Sequence, residues 1–322
     1  MKPMKFCVNS GFFGRRRDRF TEYQPERTLA EKFALIRGIP GVSGVELKYP
    51  ADFRDPAEVR RLLSDSGLAC AAVNVDIKDA AHFRHGALSA ADPGARRKAV
   101  GLLREGMDLA AELGAGLVST CPLADGHDYP FQVDHGAAWG RFIESAAAAA
   151  DHRPDVRLAL EFQPHEPHAR IMLSNVGKLL HVCAEAGRPN LGANFDVGHS
   201  FAAGESPAES AALLAAKGRL FYVHSNDNTG EGGDWDMISG TVHFWHWLEL
   251  LHTLDRAGYA GWVGGDIAVK HMGPGEAYDA NTRMLERMAA LLERMGPDTI
   301  DRLVAENNPA RTMDYLSRSL LS

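Results

Sequence analysis

Eight short apolar runs alternate with longer amphipathic segments along the chain. Each run is short enough to be a strand buried on both faces, as in a parallel sheet. The segments between the runs have helical spacing, and two of them open with an acidic cap followed by proline, at Asp55 and Pro56 and at Asp92 and Pro93. The runs span residues 5–9, 42–47, 70–75, 116–120, 156–160, 191–195, 220–223 and 261–265. This pattern predicts eight strand and helix units.

Eight parallel strands with helical connections can close into a barrel or form an open, doubly wound sheet. Acidic residues or histidines end the fifth, sixth, seventh and eighth runs, and only a closed barrel brings four consecutive strand ends to one point. No GxGxxG motif follows the first run, which weighs against a dinucleotide-binding sheet. The sequence therefore predicts the α/β class, with a (β/α)8 TIM barrel as a catalytic domain in residues 1–294.

Residues 295–322 lie outside the count of eight units and are expected to form a C-terminal helical extension. Their spaced apolar residues need a surface on which to be buried, either the outside of the barrel or another subunit. A homodimer or a homotetramer is therefore expected. The apolar residues of the extension are Ile300, Leu303, Met313, Leu316 and Leu320.

Seven acidic residues and histidines follow the later strands at the positions where barrel enzymes place their sites. Their oxygen and imidazole donors suit one or two divalent ions such as Mg²⁺, Mn²⁺ or Co²⁺, and the histidines also suit Zn²⁺. One cation is expected at Glu161, Asp196, His224 and Asp266. A second is expected beside it, at His199, Asp234 and Asp236, with Asp196 or Glu161 bridging the two.

Overall charge and composition narrow the classes of partner. A net charge of -7 makes nucleic acid a poor partner, and the basic runs 15–17 and 96–98 are expected to be solvated surface. The four cysteines are widely spread, so they are expected to be reduced thiols. No signal peptide and no run of roughly 20 apolar residues is found, so we expect a cytoplasmic protein without a membrane partner.

The order of these candidate ligands resembles that of the xylose isomerase and rhamnose isomerase type barrels. The segment EFQPHEP at 161–167 resembles the one that follows their fifth strand, and the helical segment from Phe83 resembles the one before their fourth. The resemblance covers about Phe83 to Asp266. It implies an aldose–ketose isomerase that acts on a small-molecule sugar through a 1,2-hydride shift, with two divalent cations.

The chain departs from that family's pattern at three places. Gln163 stands where the isomerases have a lysine, and an amide can donate a hydrogen bond but cannot offset negative charge. The family's ring-opening histidine after the second strand is missing, and Lys48 is the candidate to replace it. Cys121 and Pro122 stand where the family has a tryptophan. The catalytic candidates are therefore Glu161, Gln163, Lys48 and Asp266.

These departures keep two other functions open. Ketose 3-epimerases and glycoside-cleaving relatives use a single metal, with carboxylates as bases, a role that Glu161 and Asp266 would take here. Abasic-site endonucleases are barrels with a similar ligand set, but the negative net charge and the shortage of histidines weigh against DNA as a substrate.

Overall fold

The chain folds into a closed barrel of eight parallel strands, as the sequence predicts. The structure is a computed structural model that describes residues 3–166, 169–231 and 233–321. The barrel strands are, in order, Lys5–Asn9, Val42–Tyr49, Ala69–Val75, Leu117–Thr120, Arg157–Glu161, Leu191–Asp196, Leu220–Ser225 and Trp262–Gly265. Among the helices of the described ranges, none combines the length and apolar character needed to span a bilayer.

The barrel closes by pairing its first strand with its last. Val8 in the first strand lies opposite Val45 in the second strand on one side and Gly265 in the eighth on the other. All the pairings are parallel, so the carboxyl ends of all eight strands meet at one mouth. Residues that end different strands are therefore brought together there, which is the geometry that the ligand order predicts.

Twelve α-helices occur in the described part of the chain, and several begin where the sequence places a cap. Asp55 accepts hydrogen bonds from the first turn of the helix Pro56–Ser66, Asp92 does so for the helix Pro93–Glu112, and Thr28 forms a capping box with Glu31. The helices are α1 (Leu29–Arg37), α2 (Pro56–Ser66), α3 (Ala80–Phe83), α4 (Pro93–Glu112), α5 (His135–Ala150), α6 (Val176–Ala186), α7 (Val197–Ala202), α8 (Pro207–Ala216), α9 (Phe244–Arg256), α10 (Pro274–Met295), α11 (Pro297–Glu306) and α12 (Pro309–Leu321).

The hydrophobic core lies between the barrel strands and the surrounding helices. Trp247, Tyr278 and Phe142 are among its largest buried side chains. Trp247 and its neighbours in α9 therefore pack against the barrel, whereas Trp235, in the loop before that helix, is half exposed. Burial of such aromatic and aliphatic surface is the main stabilising contribution to the fold.

Small strands in the loops add two features that the sequence analysis does not predict. Arg16–Arg17 pairs with Glu22–Gln24 to form a ribbon in the loop after the first barrel strand. Gly126–His127, Ala169–Ile171 and His165–Glu166 form a three-stranded sheet beside the mouth. Arg16 of the ribbon and Glu166 of the three-stranded sheet line the cavity above the strand ends.

The C-terminal residues form α11 and α12, outside the barrel. Ile300 and Leu303 are buried and Leu316 is half-buried against the core, so the outside of the barrel covers part of the apolar surface. Met313 and Leu320 are more than 40% exposed in the single chain. Assembly into a homodimer or homotetramer stays a prediction.

Candidate active site

The first four candidate ligands converge at the mouth of the barrel. Glu161 and Asp196 are the last residues of the fifth and sixth strands, His224 lies near the end of the seventh, and Asp266 directly follows the eighth. One possible ligand atom from each lies within 4.8 Å of those from the other three, and all four residues are buried. This four-residue cluster has the composition and spacing of a divalent metal site.

His224 is held by hydrogen bonding so that one ring nitrogen faces the cluster. Its Nδ1 lies 3.0 Å from Asp266 Oδ2 and 3.5 Å from Glu161 Oε2. Its Nε2 lies 2.8 Å from Glu46 Oε2 on the opposite side of the ring. Since Glu46 is a carboxylate, Nε2 carries the hydrogen, and the lone pair of Nδ1 is then available to a cation in the neutral imidazole.

Glu46 is a functional candidate that the sequence analysis missed. It is fully buried, and its carboxylate accepts hydrogen bonds from Asn74 Nδ2, Ser119 Oγ and Tyr222 OH in addition to His224. Burial disfavours its charge, but His224 and these hydrogen bonds hold the pKa of Glu46 at about 2. An acidic residue inside an apolar strand run is the sequence signal that could have identified it.

The second group of candidate ligands lies directly beside the four-residue cluster. His199 Nε2 is 3.0 Å from Asp234 Oδ2, and Asp236 interacts with Asp234. Burial and the carboxylates of Asp234 and Asp266 raise the pKa of Asp236 well above its usual range. The geometry therefore brings His199, Asp234 and Asp236 together, as the sequence predicts, in a place where excess negative charge accumulates.

Two carboxylates each present one oxygen to each of the two histidines. Glu161 Oε2 lies 3.5 Å from His224 Nδ1, and Glu161 Oε1 lies 3.3 Å from His199 Nδ1. Asp196 shows the same division, with Oδ2 at 3.8 Å from His224 Nδ1 and Oδ1 at 3.8 Å from His199 Nδ1. The seven residues therefore form one continuous cage, and Glu161 and Asp196 lie where bridging ligands would have to be.

The polar atoms of the cage fit divalent cations better than they fit one another. Asp266 Oδ1 and His199 Nδ1 are buried and have no hydrogen-bond partner among the described residues. Burial, together with the nearby carboxylate of Glu161, raises the pKa of Asp196 to about 7 despite the opposing effect of His199. Unpaired buried polar atoms and crowded carboxylates are costly in a folded protein, and bound cations would remove both costs.

Gln163 and Lys48, the other catalytic candidates, lie in the wall of the cavity above the cage. The buried Gln163 amide donates from Nε2 to Glu166 Oε1 at 2.8 Å. Cys121 Sγ lies 3.6 Å from its Oε1. Lys48 has no side-chain hydrogen bond to the cage, and burial and the nearby Lys78 ammonium lower its pKa. The structure thus puts both residues within the site without giving either a role.

The cavity above the cage has a volume of about 580 Å³, which is ample for a monosaccharide. Lys78 and Arg16 also line it, and neither was a candidate from the sequence. The expectation that the basic run 15–17 is only solvated surface is wrong for Arg16. The Arg16–Arg17 ribbon turns that side chain inwards, where its guanidinium carbon lies 3.8 Å from the centre of the Phe12 ring.

Comparisons with known proteins agree with the fold and with the cluster. Residues 33–300 match the family described as xylose isomerase-like TIM barrel. A xylose isomerase from Thermus thermophilus is 29% identical over 207 residues, which are 63% of this chain and 54% of that protein, so the match spans about half the length of the relative.

Solved structures with the same fold cover nearly the whole chain. A D-tagatose 3-epimerase-like protein has a TM-score of 0.70 at 18% identity over 90% of this chain and 99% of its own. An L-ribulose 3-epimerase has a TM-score of 0.69 at 18% identity over 91% and 98%. Similarity at this level of identity shows the fold alone. With the family match over most of its length, the chain belongs to the xylose isomerase-like TIM barrels.

Proposed function

We propose that this protein is a divalent-metal-dependent sugar isomerase that interconverts an aldose and a ketose by a 1,2-hydride shift. The observation that carries the proposal is the continuity of the cage. His199 lies between Glu161 Oε1 at 3.3 Å and Asp234 Oδ2 at 3.0 Å, so a single buried imidazole joins the four-residue cluster to the Asp234 and Asp236 pair. A site for one cation alone would not need the second group.

In this proposal the seven cage residues would hold two divalent cations. Bound divalent cations would stabilise the negative charge that develops on neighbouring sugar oxygens when a carbonyl moves from C1 to C2. Glu46 keeps the Nδ1 lone pair of His224 facing the cage. The Gln163 amide lies in the wall as a hydrogen-bond donor to a sugar oxygen, and Lys48 stays a candidate for ring opening.

A hydride shift needs no base at carbon, because the hydrogen passes directly from C2 to C1 with its electron pair, while the C2 hydroxyl loses its proton and O1 gains one. Glu161 and Asp266 would then act as metal ligands and take no proton from a sugar carbon. The hydrogen transferred between C1 and C2 therefore never reaches the solvent. This property separates the proposal from mechanisms that use a carboxylate base.

The test is a screen of aldoses and ketoses with metal-loaded protein, followed by the active reaction in deuterium oxide. We expect a product with little deuterium at C1 or C2, measured by mass spectrometry and NMR. Protein stripped of metal by a chelator is the control and should be inactive. Substantial deuterium at the reacting carbon would overturn the hydride shift, and full activity of the stripped protein would overturn metal dependence.

A ketose 3-epimerase with one cation is the second candidate, because Asp266 Oδ1 is buried and has no hydrogen-bond partner in the described part of the chain. Such a carboxylate could take a proton from one face of C3, and Glu161 could return a proton to the other face. The same deuterium experiment distinguishes the two functions, since epimerisation by carboxylates would incorporate deuterium at C3. The glycoside-cleaving and abasic-site alternatives have no separate observation in their favour.

A further inference from the structure

The mouth of the barrel is divided into an acidic half and a cationic half. The cage residues come from the fifth to the eighth strands and the loops that follow them. Opposite them, three basic side chains come from the first three: Arg16 follows the first strand, Lys48 lies near the end of the second, and Lys78 follows the third. All three line the same cavity as the cage residues Glu161 and Asp266.

The three cations differ from the other basic side chains in this cavity because they have no ion partner. Lys32 Nζ is 2.8 Å from Asp52 Oδ1, and Arg15 Nη2 is 2.8 Å from Glu22 Oε2. Within the described residues, Arg16, Lys48 and Lys78 have no carboxylate oxygen within 4.0 Å. A group of cations left unpaired in a concave site is suited to an anion that comes from outside the chain.

Local packing holds two of these cations in place. The guanidinium of Arg16 lies over the Phe12 ring, and its Nε is buried without a hydrogen-bond partner among the described residues. The stem of Lys48 runs against Gly11, where a Cβ atom would lie 2.7 Å from Lys48 Cδ. Both side chains are therefore positioned before any ligand arrives, which lowers the entropic cost of binding.

The negative charge of the cage alone does not explain why three basic side chains lie opposite it. The cage and Glu46 together contribute six carboxylates, and two divalent cations would offset four of their charges. The three basic side chains then exceed the two negative charges that remain. Glu26 and Glu166 also line the cavity, so what suits an anionic group is the local positive charge of the three unpaired side chains and not a surplus over the whole mouth. The six carboxylates are those of Glu46, Glu161, Asp196, Asp234, Asp236 and Asp266.

We infer that the substrate is a sugar with an anionic group, a carboxylate or a phosphate, at the end remote from the reacting carbons. The reacting end would lie at the cage, and the anionic end would lie among Arg16, Lys48 and Lys78. This inference rests on the proposed function, because it assumes that the cage binds the reacting end of a sugar. It assigns Lys48 to substrate binding, a role different from ring opening.

The test is calorimetric binding of inert sugar analogues to the Mg²⁺-loaded protein. D-Glucitol is the neutral probe, D-gluconate carries a carboxylate, and D-glucitol 6-phosphate carries a phosphate. We expect at least one anionic probe to bind about tenfold or more tightly than D-glucitol, since hydrogen bonds to charged groups are the stronger kind. The anionic probe that binds more tightly shows whether the group is a carboxylate or a phosphate. Equal affinity for all three probes would overturn the inference.

Variants distinguish the cationic half from direct binding of the anion at the cage. Lys78→Met should reduce the preference for the anionic probe by about tenfold relative to the neutral one. Arg15→Met is the matched control, since Arg15 lines the same wall but is paired with Glu22, and it should keep the preference. An undiminished preference in Lys78→Met would overturn the inference, because it would show that the anion binds elsewhere.

Failure of this inference and failure of the proposed function give different results. Isomerisation of neutral sugars, with no preference for an anionic probe, would overturn the inference and leave the proposed function standing. Tight binding of an anionic probe that Lys78→Met weakens, with no isomerisation of any neutral sugar, uronate or sugar phosphate, would overturn the proposed function alone. A melting temperature within a few degrees of the wild type would show that each variant is folded.

Discussion

Glu46→Gln tests how the cage is prepared for a cation. The side chain keeps its size, but one carboxylate oxygen becomes an amide that donates hydrogen bonds. At present Oε2 accepts from His224 Nε2 and Tyr222 OH, both at 2.8 Å. Oε1 accepts from Asn74 at 2.7 Å and Ser119 at 2.6 Å. All four contacts are buried, so water cannot replace a contact that is lost.

Two effects set the expected magnitude. If the amide faces His224, it favours hydrogen on Nδ1, the nitrogen that must be free for a cation. If the remaining oxygen faces His224, the negative charge that makes the ring a stronger ligand is still lost. Changes in such supporting groups lower metal affinity by about 10-fold to 100-fold. Replacing a carboxylate that accepts four hydrogen bonds should also lower the free energy of unfolding by about 2–4 kcal/mol.

The assay is calorimetric titration of the metal-free variant with Mn²⁺, together with chemical denaturation in the presence of a chelator. Asp125→Asn is the matched control, because Asp125 is also fully buried and accepts hydrogen bonds from the backbone of Ala87, Leu88 and Ser89 and from the Ser89 hydroxyl. It is not part of the cage, so it should lose stability and keep metal affinity.

Wild-type affinity for Mn²⁺ in Glu46→Gln would refute the reasoning, since the orientation and charge of His224 would then not depend on Glu46. An equal loss of affinity in Asp125→Asn would also refute it. That outcome would mean that metal binding responds to general loss of stability and not to the contact between Glu46 and His224.

Four further predictions concern the metals and Gln163. Removal of metal by a chelator should lower the melting temperature, because a ligand that binds only the folded state stabilises it; an unchanged melting temperature would contradict a bound cation. Burial opposes protonation of His224, but the carboxylates of Glu46 and Glu161 raise its pKa well above the usual value, so a cation must displace a proton. Apparent metal affinity should therefore fall by about tenfold for each unit by which the pH falls, as long as binding releases one proton. Calorimetric titration in buffers of different ionisation enthalpy measures that release. Binding without release of a proton would contradict the prediction. The double change Asp234→Asn and Asp236→Asn should leave one cation bound where the wild type binds two, as measured by elemental analysis; unchanged stoichiometry would mean that this loop holds no cation. Gln163→Lys should change substrate preference or rate far more than stability, because Glu166 can pair with the new ammonium, and a variant that only unfolds would make Gln163 structural.

Local sequence pattern was enough to predict the barrel and most of the cage. Each buried parallel strand reads as an apolar run, and the polar residue that ends it is visible because the pattern changes there. Asp196 and His199, which are three residues apart in the sequence, also lie together in the structure. Asp196 caps α7 by accepting from the backbone N–H of His199, so both side chains are held in the same turn.

The positions that the sequence did not indicate depend on which strands become neighbours. Glu46 is distant in the chain from His224, and their contact exists only because the barrel curves the second strand round to face the seventh. Arg16 looked like part of a solvated basic run, and it turns inwards because residues 16–17 pair with residues 22–24. A shift of one residue in the register of a strand turns its side chains to the opposite face of the sheet. The local sequence pattern therefore does not specify contacts between residues of distant strands.

The distribution of charge at the mouth of the barrel also depends on the tertiary structure. Composition shows an excess of acidic residues over the whole chain. It does not show that the acidic ligands lie after the later strands, or that three unpaired basic residues lie at the ends of the first three strands. The sequence by itself determined the type of barrel, the order of the ligands and the presence of a metal-binding set. The tertiary structure decided which carboxylates lie between the two histidines, which histidine nitrogen faces the cage and which basic side chains lie opposite it. Those properties are distances between residues far apart in the chain, and only the closed sheet sets them.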